Sequence, residues 1–153
     1  MSDILFKAKS TYTKEWVEGY IVNHAGLLWI YTGEVDLLNS YSNGYGTTVY
    51  ESIKHIIDKN TICQYTGLTD KNGNKIWEND IVKHHFEECF APIRFGKYQS
   101  CFDATKTQHI GFYVDWGRKQ ALRKDLGYWV NMVECDIVGN ALDNPELLDR
   151  ETN

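Results

Sequence analysis

Residues 84–89 (HHFEEC) contain the densest group of side chains that could bind a metal ion. Imidazole and thiolate groups are zinc ligands, so His84, His85 and Cys89 are candidate metal ligands. Adjacent residues of a strand point to opposite faces, however, and a single site could use only some of the three. The paired spacings of structural zinc sites are absent, which favours a polar strand end with solvated acidic side chains. We expect neither a metal ion nor another cofactor.

The sequence lacks the patterns that accompany covalent or acid–base catalysis. A cysteine nucleophile requires a base and a lowered thiol pKa, and nothing pairs any of the five histidines with a cysteine. There is no nucleophile elbow and no phosphate-binding loop motif. The pairs Glu87–Glu88 and Glu134–Asp136 could act as acid and base, the second because both would share a strand face. Solvated surface is the preferred interpretation of both pairs. We therefore expect a protein that is not an enzyme.

The region after residue 115 concentrates basic and aromatic side chains that could contact a partner. The interaction candidates are Arg118, Lys119, Arg123, Lys124, Trp116 and Trp129. Cations beside aromatic rings can bind nucleic acid, because rings stack on bases and cations neutralise phosphates. The alternative is a solvated charged surface balanced by the neighbouring Asp115 and Asp125.

The overall charge limits the role that nucleic acid could have. The chain has 153 residues, a formal net charge of -5 and a pI of about 5.5. Nucleic-acid binders and proteins that dock on anionic membranes usually present a basic face, so we expect neither as the main role. The four cysteines form no CxxC pair, and no apolar run has the character of a signal or a membrane helix. These features predict a cytoplasmic protein with reduced cysteines.

Short β-type runs dominate the chain. The predicted strands cover residues 4–9, 16–21, 26–31, 76–83, 93–95, 111–116 and 128–138. Residues 49–57 predict a helix, because their apolar side chains recur at helical spacing. Residues 39–48 are rich in Ser, Asn and Gly and predict a flexible loop. The pattern changes near Asp58, which predicts an N-terminal α/β portion (1–58) and a β-rich domain (59–153).

Two tight turns are predicted close together in the β-rich part. Asn72-Gly73 favours a type I′ hairpin turn, because both residues accept a positive φ. A second turn follows at Asn79, where the side chain of Asp80 can accept hydrogen bonds from nearby amides. Two sharp reversals joined by short strands are typical of a small, strongly bent barrel. Residues 144–148 (NPELL) have the order of an N-cap, a first-turn proline and a terminal helical turn.

The same segments resemble the YopX family of bacteriophage and prophage proteins. The resemblance lies in FKA (6–8), WVEG (16–19), TICQYTGLTDKNG (61–73), IWENDIV (76–82), IVGN (137–140) and NPELL (144–148). The family usually has glycine at the position of Asn79. Asparagine also accepts a left-handed backbone, so we expect the turn to survive.

The resemblance implies a C-terminal SH3-like small barrel after an N-terminal α/β portion, and it implies no enzymatic activity. We therefore expect a mainly β protein, α+β overall. Its expected function is a non-catalytic protein-interaction module of a phage or prophage, with a host or phage protein as partner. A nucleic-acid-associated module using the basic segment and a small metal-dependent enzyme are the alternatives. Exposed strand edges would allow a homo-oligomer. Specificity is expected in residues 84–127 or 39–48, which match no family motif.

Overall fold

The structure, a computed structural model of the 153-residue chain, describes residues 4–42, 44–85, 88–100, 103–117 and 123–149. The strands in these ranges are β1 Phe6–Lys9, β2 Trp16–His24, β3 Leu27–Ser42, β4 Thr48–Ile56, β5 Cys63–Thr69, β6 Lys75–Trp77, β7 Asp80–Lys83, β8 Phe90–Tyr98, β9 His109–Val114 and β10 Asp136–Asn140. Helical structure in the same ranges is limited to the short turns Lys59–Thr61, Tyr128–Met132 and Pro145–Leu147. The expected mainly β class is confirmed.

The chain divides into two compact units, Met1–Gln64 and Tyr65–Asn153. Strand β5 begins in the first unit and ends in the second. The division falls shortly after Asp58, where the sequence pattern changes. Each unit has its own buried apolar core.

The N-terminal unit is built on an antiparallel sheet with the strand order β4–β3–β2–β1, and β1 also pairs with the first residues of β5. Ala8, Ile30 and Ile57 are almost completely buried and form its core. Alternate residues of a strand point to opposite faces, which brings these three side chains to one side of the sheet. Gly19 is required where β2 lies against β3, because a Cβ there would be 2.0 Å from the carbonyl oxygen of Tyr31.

The helix predicted over residues 49–57 is wrong, and with it the α/β character of the N-terminal portion. Thr48–Ile56 form β4, which pairs antiparallel with β3. The spacing is ambiguous, because Val49 and Ile53 are four residues apart and share a face both in a helix and in a strand. The β-branched side chains of this run favour the strand, which also gains a neighbour in β3.

The loop predicted over residues 39–48 is shorter than expected. Strand β3 continues through Asn39 to Ser42, and β4 begins at Thr48. Ser40, Tyr41 and Ser42 pair with residues of β4, so polar composition here accompanies a solvent-exposed hairpin rather than a loop.

The C-terminal unit contains the hairpin β5–β6 and an antiparallel sheet with the order β10–β7–β8–β9. Its core consists of Ile76, Val82, Cys89, Ala91, Ile93, Val114, Trp116, Leu126, Trp129, Val130 and Cys135. Two indole rings account for much of this volume, which suits a core between few short strands. Among the described residues no ladder joins β10 to β9, so the sheet is open at both edges.

The strand predicted over residues 128–138 is only partly correct. Tyr128–Met132 form one wide helical turn, in which the N–H of Val133 donates to the carbonyl of Tyr128 at 3.1 Å. This turn buries Trp129 and Val130 together, whereas adjacent residues of a strand would point to opposite faces. Strand β10 follows at Asp136–Asn140.

The turn between β5 and β6 differs in type from the prediction. Gly73 has φ 84°, but Asn72 has no positive φ, so this is not a type I′ turn. The N–H of Gly73 donates to the carbonyl of Asp70 at 3.0 Å, and the N–H of Asp70 donates to the carbonyl of Asn74 at 2.9 Å. These bonds define a three-residue loop with glycine in the left-handed position. The predicted left-handed turn at Asn79 is confirmed by its φ of 67°.

The C-terminal helical turn is also confirmed, with Asn144 at its N-cap and Pro145 at its start. The Asn144 side chain does not cap this turn, because its Oδ1 accepts from the N–H of Asn140 at 3.2 Å. In the ranges that the structure covers, no helix is long and apolar enough to cross a bilayer.

Candidate functional site

The three candidate metal ligands have separate structural environments. The His84 ring is buried, with its centroid 5.7 Å from Trp116 and 5.3 Å from Trp129. His85 lies on the surface, and its Nε2 is 2.8 Å from the carbonyl oxygen of Val133. Cys89 is a buried core residue whose carbonyl accepts from the N–H of His84 at 3.0 Å. Across the described ranges, no three or more His, Cys, Asp or Glu residues are grouped to hold a metal ion.

Of the two predicted carboxylate pairs, Glu134–Asp136 lies wholly within the described residues, and its geometry differs from the prediction. Glu134 precedes β10 and has φ 51°, so it does not share a strand face with Asp136. Asp136 forms an ion pair with Lys71 at 2.6 Å, and this hydrogen bond lowers the pKa of the carboxyl. Glu88 lies 3.6 Å from the ammonium of Lys83, and its predicted partner Glu87 is outside the described residues.

The two tryptophans among the interaction candidates are core residues. Trp116 and Trp129 are 2% and 4% exposed, with ring centroids 4.9 Å apart. The indole N–H of Trp129 donates to the carbonyl of Arg123 at 2.8 Å. Neither ring presents a face to solvent for stacking, and their contribution is to packing.

Two of the four basic candidates lie at the surface beside tyrosine rings. The Arg123 guanidinium is 4.6 Å from the Tyr128 centroid, and the Lys124 ammonium is 6.0 Å from that of Tyr113. The Arg123 Nε is also 3.6 Å from a carboxylate oxygen of Asp125. Arg118 and Lys119 lie outside the described residues.

A row of stacked rings lies on the face of β8 and β9 opposite the core, and we call Tyr98, His109 and Tyr113 the ring row. The Tyr98 centroid is 5.3 Å from His109 and 5.4 Å from Tyr113, with interplanar angles of 28° and 24°. Tyr98 pairs directly with His109 in the ladder, which fixes their stacking. Burial raises the pKa of both tyrosines, and the nearby Asp125 carboxylate raises that of Tyr98 further. The ring row therefore carries neutral phenols, flanked by Lys124.

The hairpin β3–β4 beyond Tyr31 exposes a second group of large side chains, and we call residues 32–54 the arm. Its ladder is interrupted twice, since three residues of β3 oppose one of β4 between Tyr31 and Val35, and three more are inserted between Asp36 and Ser40. The second insertion presents Leu37 and Leu38, which are 71% and 94% exposed. Other exposed large apolar side chains of the arm are Val35, Tyr41, Tyr45 and Tyr50.

The insertion that carries the two leucines is held by a carboxylate. The Asp36 side chain accepts from the N–H of Leu38 at 2.9 Å and from the Asn39 amide at 2.7 Å. These bonds lower the pKa of Asp36, the backbone bond contributing most. The two leucines therefore lie on a turn that hydrogen bonds to Asp36 hold in place. The segment DLLN (36–39) is the sequence feature from which this surface could have been predicted.

Two turns of the C-terminal unit are joined by a polar network in which Asp80 and Asn140 are buried and Asn79 is half-buried. One carboxylate oxygen of Asp80 accepts from the N–H of Trp77 at 2.8 Å, and the other accepts from the Asn140 amide at 2.9 Å. The backbone of Asn79 donates to Ile93 and accepts from Ala141, at 2.8 and 2.7 Å. A buried network satisfied in this way fixes the relative position of β6, β7 and β10.

The chain is similar to a known protein family over almost its whole length. The model of the YopX family, described as YopX protein, matches residues 5–149. The chain belongs to the YopX family. Among solved structures, the crystal structure of protein EF1440 from Enterococcus faecalis is similar over 97% of this chain and 99% of that chain. The TM-score is 0.54 and the identity 22%, so this likeness concerns the fold alone. No curated protein matches the chain.

Two of the six segments that resemble the YopX family contribute the residues of the polar network. IWENDIV contains Asn79 and Asp80, and IVGN contains Asn140. Gly139 belongs to the same arrangement, because a Cβ there would lie 2.6 Å from Oδ1 of Asn144. In this YopX chain these two segments therefore have a structural role, and the ring row and the arm lie outside all six segments.

Proposed function

We propose that this YopX-family protein is a non-catalytic module that binds another protein through the arm, in the cytoplasm of a bacterium that carries the phage or prophage. The observation that supports the proposal most is the exposure of Leu37 and Leu38 on a turn fixed by Asp36. Exposed apolar and aromatic side chains grouped on one element are typical of protein-binding surfaces. The engagement of His84 and His85 in packing and hydrogen bonding supports a non-catalytic role.

We further propose that the C-terminal unit is a strongly bent, SH3-like arrangement. Its support is the sharp left-handed turn at Asn79, where β6 passes into β7.

A capture experiment tests the role of the arm. The wild-type protein and the double variant Leu37→Ser/Leu38→Ser are immobilised and exposed to lysate of an infected or lysogenic host. Proteins retained by the wild type should be lost with the double variant, because apolar contacts at the centre of an interface carry most of its affinity. The matched control is Ile110→Ser, which changes a side chain that is 70% exposed on β9. Equal recovery by all three proteins would refute the proposal.

Nucleic-acid binding is the second candidate, and the specific observation that favours it is Lys124 beside the ring row. Stacked rings next to a cation suit single-stranded nucleic acid better than a duplex. Anisotropy of a fluorescent single-stranded oligonucleotide should show binding at low salt that weakens by about tenfold or more on raising salt fourfold. Lys124→Ala should weaken binding further. No binding at low salt would eliminate this candidate.

A further inference from the structure

The outer edge of β4 is a second unusual surface of the N-terminal unit. β4 stands at the end of the strand order, and within the part of the chain that the structure describes, its outer side is covered only at the C-terminal end, where Ser10 forms an antiparallel bridge with Ile57. Its nine residues (TVYESIKHI) include neither proline nor glycine, and both insertions in the ladder belong to β3. Proline, bulges and charged side chains, lysine above all, are the usual means by which edge strands avoid further pairing. β4 has no proline and no bulge, and its one lysine, Lys54, lies against the rings of Trp29 and Tyr31.

The hydrogen bonds at the end of β4 show which backbone groups face outward. The N–H of Ile57 donates to the carbonyl of Leu28 at 3.0 Å, so the backbone of residue 57 faces β3. The carbonyl of Ile56 faces the other way, where it accepts from the N–H and the hydroxyl of Thr11 at 2.9 and 3.2 Å. Because backbone direction alternates along a strand, the backbone groups of Tyr50, Ser52 and Lys54 also point away from β3.

We propose that a second copy of the chain pairs its own β4 antiparallel with this edge, with the two-fold axis passing through Ser52. Hydrogen-bonded and non-hydrogen-bonded pairs alternate in an antiparallel ladder, so a symmetric pair must place one residue opposite its own copy. With Ser52 at this position, Tyr50 of each copy lies opposite Lys54 of the other. Tyr50, Ser52 and Lys54 then all take part in the new ladder.

The neighbouring registers are less favourable. An axis at Glu51 would place two like carboxylates opposite each other in the closer, non-hydrogen-bonded pair, which is destabilising. An axis at Ile53 would pair Tyr50 with Ile56, whose carbonyl is already occupied by Thr11, and would leave two hydrogen-bonded pairs, both between Ser52 and Lys54. An axis at Ser52 brings no like charges together and reaches Ile56 only at the end of the ladder, opposite Thr48, so three hydrogen-bonded pairs remain.

The side chains of β4 complement those of a second β4. The Lys54 ammonium lies 5.3 Å from the Trp29 centroid and 5.8 Å from that of Tyr31. Tyr50 is on the same face as Lys54, because the two are four residues apart on a strand. In the proposed pair it brings a third ring to the ammonium of the other copy. One strand supplies both the ring and the cation, which is the self-complementarity that a two-fold interface requires.

A cysteine placed on the axis tests the register. Under mild oxidation Ser52→Cys should form a disulfide-linked dimer, because directly opposite residues have Cα atoms close enough for a disulfide. The matched control is Ser40→Cys, an exposed position on β3 of the same hairpin, whose two copies would be well separated. We expect at least about tenfold more cross-linked dimer from Ser52→Cys, since pairing raises the effective thiol concentration to the millimolar range. Equal yields would overturn the proposal.

The mass of the protein in solution provides the second measurement. The wild type should sediment as a dimer and Ser52→Pro as a folded monomer, because this proline removes an N–H that points away from β3. A monomeric wild type, or a dimeric Ser52→Pro, would refute the pairing. The proposal is independent of a partner at Leu37 and Leu38, so the capture experiment and these measurements can fail separately.

Discussion

The carboxylate of Asp80 is the buried acidic side chain among the residues that the structure describes, and it accepts hydrogen bonds from two parts of the C-terminal unit. That Asp80 would bind nearby amides could be predicted from its position after a turn residue. The bond to Asn140 could not be predicted, since sixty residues separate the two and no local pattern links them.

Replacing Asp80 with alanine should lower the free energy of unfolding by about 2–4 kcal/mol, because the Trp77 N–H and the Asn140 amide would lose their acceptor in a buried site. Asp80→Asn retains the shape and one acceptor, and a smaller loss is expected. Urea denaturation followed by tryptophan fluorescence measures both. A midpoint for Asp80→Ala equal to that of the wild type would contradict the structural role of the network.

The carboxylate of Asp103 should make stability depend on pH under acidic conditions. The hydroxyl and N–H of Thr105 donate to it at 2.5 and 2.9 Å, and the N–H of Thr107 donates at 3.0 Å. These bonds lower its pKa from 3.8 to about 2. Because the folded pKa is below the unfolded one, the stabilisation is complete above about pH 4 and is lost as the pH falls towards 2.

Asp103→Asn should therefore reduce stability near neutral pH, and the difference from the wild type should shrink as the pH is lowered from 5 to 2. Denaturation midpoints at a series of pH values measure this difference. A constant difference over the whole range would show that the carboxylate is not perturbed.

Elements rather than single residues explain the main errors of sequence-based prediction. Apolar residues four apart predict a helix for residues 49–57, but β4 forms there because β3 provides a partner for the backbone. The polar composition of residues 39–48 suggests a loop. The strands β3 and β4 extend into this segment, because a hairpin that is exposed on both faces needs no apolar side chains. The positions of the hairpin β5–β6 and of the final turn could be predicted, because Gly73 accepts a positive φ and Pro145 suits the first position of a helical turn. The type of the β5–β6 turn could not.

The β5–β6 turn should respond selectively to substitution. Gly73→Ala should cost about 1–2 kcal/mol, because φ at this position is 84° and a Cβ is strained there. Asn72→Ala should cost less than about 0.5 kcal/mol, since Asn72 has no positive φ. Thermal unfolding of the two variants distinguishes this loop from a type I′ turn, in which both substitutions would be costly.

At the scale of the whole molecule, the sequence does not show which of the aromatic side chains are buried. Trp116 and Trp129 fill the core of the C-terminal unit, as few short strands require. Their sequence neighbourhood of basic residues nevertheless suggested a surface. Composition cannot locate a ring, because burial depends on long-range packing. The exposed surface of the arm could not be predicted either, because Leu37 and Leu38 stand in a polar segment that suggests a loop.

The cysteines offer a test of the packing of both units. Cys63, Cys89 and Cys135 are buried thiols, and burial raises the pKa of Cys135 to about 11. These thiols should react with a thiol reagent at pH 8 only after denaturation, when all four cysteines of the chain become reactive. Rapid reaction of more than one thiol in the native protein would contradict this packing.

The placement of both insertions in β3 has a consequence for how the protein could change over generations. An inner strand that loops outward can gain or lose residues, or exchange its protruding side chains, while its neighbour β4 keeps its length and its pairing. Substitutions at Leu37 and Leu38 would therefore leave the pairing of β4 with β3 unchanged. Evolution could in this way change the binding partner of the arm while the sheet that carries the two leucines stays the same.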